Sequence, residues 1–163
     1  MIILYSLRFW HIVSRKMKPP NIPPVHLFGA AAFVVVAAFA LPFLSFGGNF
    51  AVWTGTVVFA AGVWLMMRTY RLMKRRGTTH QFGVTTRLIE DDVFRYSRNP
   101  MYVGMTAMLI GAALALRNLA ALAAPLYFFI VLDRFFVPYE ERKLEKEIGA
   151  PYFSYKAKVR RWF

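Results

Sequence analysis

The chain has 163 residues, of which 58% are hydrophobic and none is cysteine, and its 21 basic and 8 acidic residues give a formal net charge of +13. A mean hydropathy of +0.41 is too apolar for an ordinary soluble domain of this size, and the missing cysteine excludes disulfides, thiolate zinc sites and a cysteine nucleophile. The basic residues cluster beside long apolar runs, so they point to a membrane face and not to nucleic acid.

In chain order, residues 1–13 are apolar but contain Arg8 and His11. They are too short to span, which predicts an interfacial helix within an N-terminal segment of residues 1–24. Arg15, Lys16 and Lys18 precede Pro19-Pro20 and Pro23-Pro24, a stiff basic entry. Residues 25–46 form an apolar run about 33 Å long as a helix, enough to cross a bilayer, with Pro42 placed to kink or stop it. A turn at Ser45-Phe46-Gly47-Gly48-Asn49 leads to a second span over residues 50–67, in which Ala51 and Gly55 can admit a close helix neighbour. Arg68, Arg71, Lys74, Arg75 and Arg76 end that span, and the positive-inside rule places this end in the cytoplasm together with the N-terminal basic group.

Residues 77–98 form a polar loop carrying Glu90, Asp91 and Asp92. Residues 100–116 make a third apolar segment, about 25 Å long and short for a span; Ala107, Gly111 and Ala115 give it a small-residue face. Arg117-Asn118 is a minimal turn, and residues 118–137 return as the fourth span, followed by a basic, aromatic tail over residues 142–163. The expected architecture is all-α: one polytopic membrane domain over residues 1–163, with four transmembrane helices in two hairpins, a cytoplasmic loop and a C-terminal tail. Both termini are expected in the cytoplasm.

The polar residues that could do chemistry fall on one side. Asn99 reads as an N-cap and Pro100 as the first residue of the third helix. With Arg95 and Arg98 beside it, that helix start suits an anion, and Tyr96 and Tyr102 can face a cation. The same residues also suit a plain helix start with arginines snorkelling at a membrane surface. The two-residue turn makes the third and fourth helices antiparallel neighbours, which brings Asn99 and Tyr102 to the depth of Asp133, Glu140 and Glu141. Asp133 and Glu140 are seven apart and share a helical stripe unless Pro138 resets the phase. Carboxylates at membrane depth are functional candidates, although Asp133 can equally be an arginine's partner and Glu140-Glu141 a solvated helix exit. His11, His26 and His80 are isolated and show no metal spacing.

Arg95-Tyr96-Ser97-Arg98-Asn99-Pro100-Met101-Tyr102-Val103-Gly104 is followed by a helical hairpin. Then come Glu140-Glu141-Arg142-Lys143-Leu144-Glu145, Gly149, Tyr152, Tyr155 and Val159-Arg160-Arg161-Trp162. In this order the blocks resemble the isoprenylcysteine carboxyl methyltransferase and phospholipid methyltransferase superfamily, over roughly residues 20–163. Gly77-Thr78-Thr79 resembles the loop before this region in prokaryotic members. The resemblance implies an integral membrane enzyme that transfers a methyl group from S-adenosylmethionine to a lipophilic or membrane-accessible acceptor, with membrane lipids around it and no metal. It implies a cofactor core over residues 95–163. Tyr96, Asn99, Pro100, Tyr102, Gly104, Glu140, Glu141, Tyr152 and Arg160 would bind the cofactor, and Arg98 and Glu141 would act in catalysis. Three positions depart from the family: Asp92-Val93 replaces a frequent Gly-Pro, Phe82 replaces a loop proline, and Asn99 stands where eukaryotic members have histidine. A small four-helix transporter is the rival reading. It usually needs a charge near the membrane midplane, and the first two spans carry none. Sterol reductases, which share a related C-terminal half, are much longer chains.

Overall fold

The computed structural model describes residues 23–76 and 88–163. The readings made for residues 1–22, for Gly77-Thr78-Thr79, for His80 and for Phe82 lie outside these. Helix α1 (Pro23–Ala40) and helix α2 (Gly48–Arg75) are followed by a short 3₁₀ turn at Asp92–Arg95 and helix α3 (Pro100–Ala115). Helix α4 (Ala123–Val131), a π turn (Leu132–Phe136) and helix α5 (Val137–Ile148) join into one rod, and helix α6 (Ala150–Lys158) closes the chain. Among the described residues the only β pairing is an isolated bridge between Ser45 and Asn118. The chain is an all-α membrane protein. Pro23–Ala40, Gly48–Arg75 and Ala120–Ile148 are long and apolar enough to cross a bilayer, and α3 is a shorter apolar helix of 16 residues. Phe28, Phe39, Phe50, Trp53, Val57, Trp64 and Leu126 point outward and exposed. Water does not tolerate an apolar surface of that extent, whereas lipid does.

The first span ends earlier than its apolar run suggests. Helix α1 stops at Ala40, and residues 42–44 turn off in a 3₁₀ turn that begins with Pro42. Proline cannot donate the N–H that would continue the helix. A side chain from the opposite turn adds a second donor to two carbonyls at this end: Asn118 Nδ2 donates to Leu41 O at 2.9 Å and to Ala37 O at 3.2 Å. Its Oδ1 accepts from the Ala121 N–H at 3.1 Å. Phe46 N–H donates to Arg117 O and Leu119 N–H to Leu44 O, which sews the two turns together. Gly47 and Gly48, both at positive φ, then start α2.

The closest packing is between α2 and α3. A Cβ on Gly55 would lie 2.3 Å from Ala115 N, and one on Gly111 would lie 2.3 Å from Phe59 N. Two turns further on, Gly62 and Gly104 face each other's carbonyls at 2.7 and 2.8 Å by the same measure. Backbone meets backbone along this seam, the arrangement small residues permit in membranes. On α3 the seam runs through Gly104, Met108, Gly111 and Ala115, so Gly111 and Ala115 of the expected small-residue face lie on it. Helix α1 packs on α3 and α4 instead of along α2, so the first hairpin is one of topology and not of contact. Ala30, Val34 and Ala37 of α1 join Leu109, Ala113, Phe128, Leu132 and Phe136 in a single core.

Candidate functional site

The site is set by a break in helical phase. Pro138 has no N–H, and its ring would collide with the carbonyl of Arg134 in an α-helix. The chain answers with the π turn at Leu132–Phe136, in which the Val137 N–H reaches the Leu132 carbonyl five residues back. A π turn accommodates roughly one extra residue, which shifts everything beyond it by about 100°. Asp133 therefore shares its stripe with Glu141 and not with Glu140, which corrects the pairing expected from seven-residue spacing. Arg161 shows this directly. Its Nη1 donates to Asp133 Oδ1 at 3.2 Å and its Nη2 to Glu141 Oε2 at 3.0 Å.

Glu141 is almost fully enclosed and surrounded by cations. Arg98 Nη2 donates to its Oε1 at 2.6 Å, and Lys156 Nζ lies 3.5 Å from Oε2. The Arg98 and Glu141 side chains are only 9% and 7% exposed. Arg98 Nη1 also donates to the carbonyls of Val159 and Lys156. Its Nε is buried without a partner among the described residues. Glu140 is turned the other way. Tyr102 Oη donates to its Oε1 at 2.6 Å, and among the described residues no basic side chain is in direct ion-pair contact with it, Lys143 acting on it only at longer range. Asp133, Glu141, Glu145 and Glu147 each have one.

The start of α3 is wrapped by the end of the chain. Arg98 N–H donates to Arg160 O at 3.1 Å, and Ser97 Oγ and Asn99 Nδ2 both donate to Arg161 O, at 3.2 and 3.0 Å. Asn99 occupies the N-cap position and its carbonyl accepts from Val103. Its amide, however, is spent on Arg161, so no side chain caps the first turn of α3. Tyr152 and Tyr155 are buried beneath the tail, and Tyr155 Oη donates to Phe94 O at 2.8 Å. Burial first, and then the Glu141 carboxylate, push the Tyr152 phenol up to about 12, so it stays a neutral wall at any physiological pH.

Of the residues singled out from sequence, Arg98, Asn99, Tyr102, Glu140, Glu141 and Tyr152 come together, with Pro100 buried as the first residue of α3. Others do not join them. Tyr96 is 73% exposed, the Arg160 side chain is exposed, and Gly104 spends its missing side chain on Gly62 of α2. Arg161 and Trp162, placed by the sequence in the last motif block of the tail without a ligand role, come to the same place. Trp162 Nε1 donates to Asp133 Oδ1 at 3.0 Å, and its ring centroid lies 4.8 Å from that of Phe129. The signal was present in the basic, aromatic end of the tail, but nothing local to it names Asp133 as the acceptor.

The Asp92-Val93 departure also has a structural answer. Asp92 adopts φ +56°, the left-handed backbone that glycine takes readily. It receives Arg68 Nη2 at 2.6 Å and Arg68 Nε at 3.2 Å, and Arg76 pairs with Asp91. These hydrogen bonds hold the Asp92 carboxyl below the usual carboxylate range. The acidic pair thus clamps the segment before α3 onto the end of α2.

This donor set fits a small zwitterion that carries an additional positive centre. It offers an uncapped helix start, a buried guanidinium N–H without a partner among the described residues, a carboxylate with no cation in direct contact and a tyrosine ring. Among the described residues no group of three or more His, Asp or Glu side chains is placed to hold a metal.

A protein of Haemophilus influenzae described as uncharacterized is 37% identical over 62 residues, which is 38% of this chain and 98% of that protein. No solved structure matches the chain. The phospholipid methyltransferase family matches residues 50–150, which take in the α2–α3 seam, the clamped segment, the start of α3 and the Glu140-Glu141 pair. The chain belongs to the phospholipid methyltransferase family and is an integral membrane protein of the methyltransferase class.

Proposed function

We propose that the protein is an S-adenosylmethionine-dependent methyltransferase acting on a lipophilic or membrane-accessible acceptor, with residues 95–163 as the cofactor core of a single domain. The observation that carries this reading is Glu140, a carboxylate at the end of a membrane span that accepts one phenol O–H and has no basic side chain in direct ion-pair contact among the described residues. When bound, S-adenosylmethionine supplies a methyl group made electrophilic by its sulfonium. Glu140 would pair with its ammonium group, and the uncapped amides of α3 with Arg98 Nε would take its carboxylate. The Tyr102 ring would stabilise the sulfonium. Arg98 and Glu141 fix the tail against α3 and so hold these groups in register. Transfer to an acceptor lone pair requires chiefly alignment, and the apolar helix faces let an acceptor reach the site from the bilayer.

Titration calorimetry of purified protein with S-adenosylmethionine tests this. Hydrogen bonds to charged groups are worth about 1.5–3 kcal/mol, so Glu140→Gln should weaken binding roughly tenfold or more. Tyr102→Ala should do the same, while Tyr102→Phe, which keeps the ring, should lose less. Equal affinity in all three variants, each monodisperse and helical, would remove the assignment.

The proposed orientation puts both termini and the site in the cytoplasm, because Arg68, Arg71, Lys74 and Arg75 lie at the site's end of α2 and Arg117 alone lies at the other. Single-cysteine labelling is clean in a chain without cysteine. In intact cells an impermeant reagent should label Asn49→Cys and spare Thr78→Cys; the opposite pattern would invert the protein.

A further inference from the structure

Beyond α6 the last five residues leave the helix, with Val159 extended at φ −115° and ψ 132°. They lie across the start of α3 through the carbonyls of Arg160 and Arg161. Only two side chains fasten them to the helical rod, and both reach the same atom, Asp133 Oδ1. Asp133 is on that face only because the π turn rotates it onto the Glu141 stripe. The other fastening of Arg161 is to Glu141, which Arg98 already holds.

We propose that Asp133 is a positioning residue that docks residues 159–163 as a releasable strap over the start of α3, and that release uncovers the site beneath it for ligand entry and exit. The remaining ion pairs support this assignment. An undocked strap leaves Asp133 with Arg134, whose Nε lies 3.6 Å from Oδ2, and Glu141 with Arg98 and Lys156, so release strands neither carboxylate without a cation. On return of Arg161, Trp162 settles against Phe129 and excludes water from the enclosed site. The Arg161 and Asp133 side chains are 33% and 26% exposed. The fastening is therefore wet enough to exchange, unlike the Arg98–Glu141 pair beneath it. The identity of the ligand rests on the function proposed above; the strap and its anchor do not.

The test uses full-length protein in nanodiscs with Trp10, Trp53 and Trp64 replaced by phenylalanine, so that Trp162 alone reports. Acrylamide quenching of ligand-free protein should rise at least threefold in Asp133→Asn. Raised salt should move the Asp133-containing protein toward that value and leave Asp133→Asn unchanged. With S-adenosylmethionine added, release of bound ligand should quicken about tenfold in the variant. Arg161→Gln attacks the same fastening without touching the rod and should reproduce the quenching if Asp133→Asn proves misfolded. Quenching that is equal, and equally salt-independent, in all three proteins would overturn the strap. Should the unmutated site bind no S-adenosylmethionine, the proposed function falls, and the Trp162 comparison still decides the anchor.

Discussion

Glu141→Ala is expected to destabilise the folded protein by about 3–5 kcal/mol, the usual cost of removing one partner from a buried ion pair. It should be the most damaging single change to a polar residue of the site. Arg98 would keep its charge in a pocket that leaves its side chain 9% exposed, with only the carbonyls of Lys156 and Val159 for partners. Arg161 would retain Asp133 but lose two of its three carboxylate contacts. The tail should then loosen from the rod, because Glu141 is the shared partner of Arg98, Lys156 and Arg161. Two measurements check this: thermal unfolding in detergent, and the rate of trypsin cleavage after Arg160 and Arg161. The double change Arg98→Met with Glu141→Leu should recover much of the loss, since it removes both charges together. If Glu141→Ala melts and is cleaved like the unmutated protein, the pair is not what holds the tail.

The expected loss also separates Glu141 from Glu140, which sequence spacing could not do. Two adjacent glutamates at the end of a span differ by about 100° in direction, and nothing local says which one faces inward. Pro138 was visible as a possible reset of phase. Its actual effect, a π turn five residues long, depends on how the rod packs and not on proline alone. The spans themselves were legible because hydrophobic runs of that length and basic ends have few other solutions. The end of α1 was not, since Leu41 to Phe46 is as apolar as the helix before it. What stops the helix is Pro42 together with Asn118, which lies 76 positions further on in the chain. Long-range partners of this kind explain most of what was missed. Asp133 is matched to Trp162, Tyr155 to the Phe94 carbonyl, and Asn99 to the Arg161 carbonyl instead of its own helix. In each case a short-range rule named the polar residue, and a distant segment took its hydrogen bond. Gly104 is a different case. A glycine near a ligand motif and a glycine in a helix seam look the same in sequence, and only the position of α2 distinguishes them.

That seam yields the second large effect. Gly111→Ala and Gly55→Ala are each expected to destabilise the protein by at least about 1–3 kcal/mol, the usual range for overpacking. They should fall at the upper end, because the new methyl would meet backbone and not a side chain that can swing away. The added carbon would sit 2.3 Å from Phe59 N in one case and 2.3 Å from Ala115 N in the other, so the helices must separate. Helix α2 has α3 as its main neighbour, and no other interface can absorb the shift. Gly29→Ala in α1 is the matched control, since nothing lies within 4 Å of the position its methyl would take. It removes a flexible glycine from a helix interior, worth about 0.5–1 kcal/mol in favour of alanine. Thermal unfolding of the three variants in the same detergent should place Gly29→Ala at or above the starting protein and the two seam variants well below it. Gly62→Ala tests whether the seam also sets the site. Its methyl would meet Gly104 O at 2.7 Å, two residues along α3 from Tyr102, so displacement there should pull Tyr102 away from Glu140. Gly62→Ala should therefore weaken S-adenosylmethionine binding more than Gly55→Ala, which acts at the opposite end of α3. If both seam ends affect binding equally, the loss is one of general stability, and the seam does not position the Tyr102–Glu140 pair.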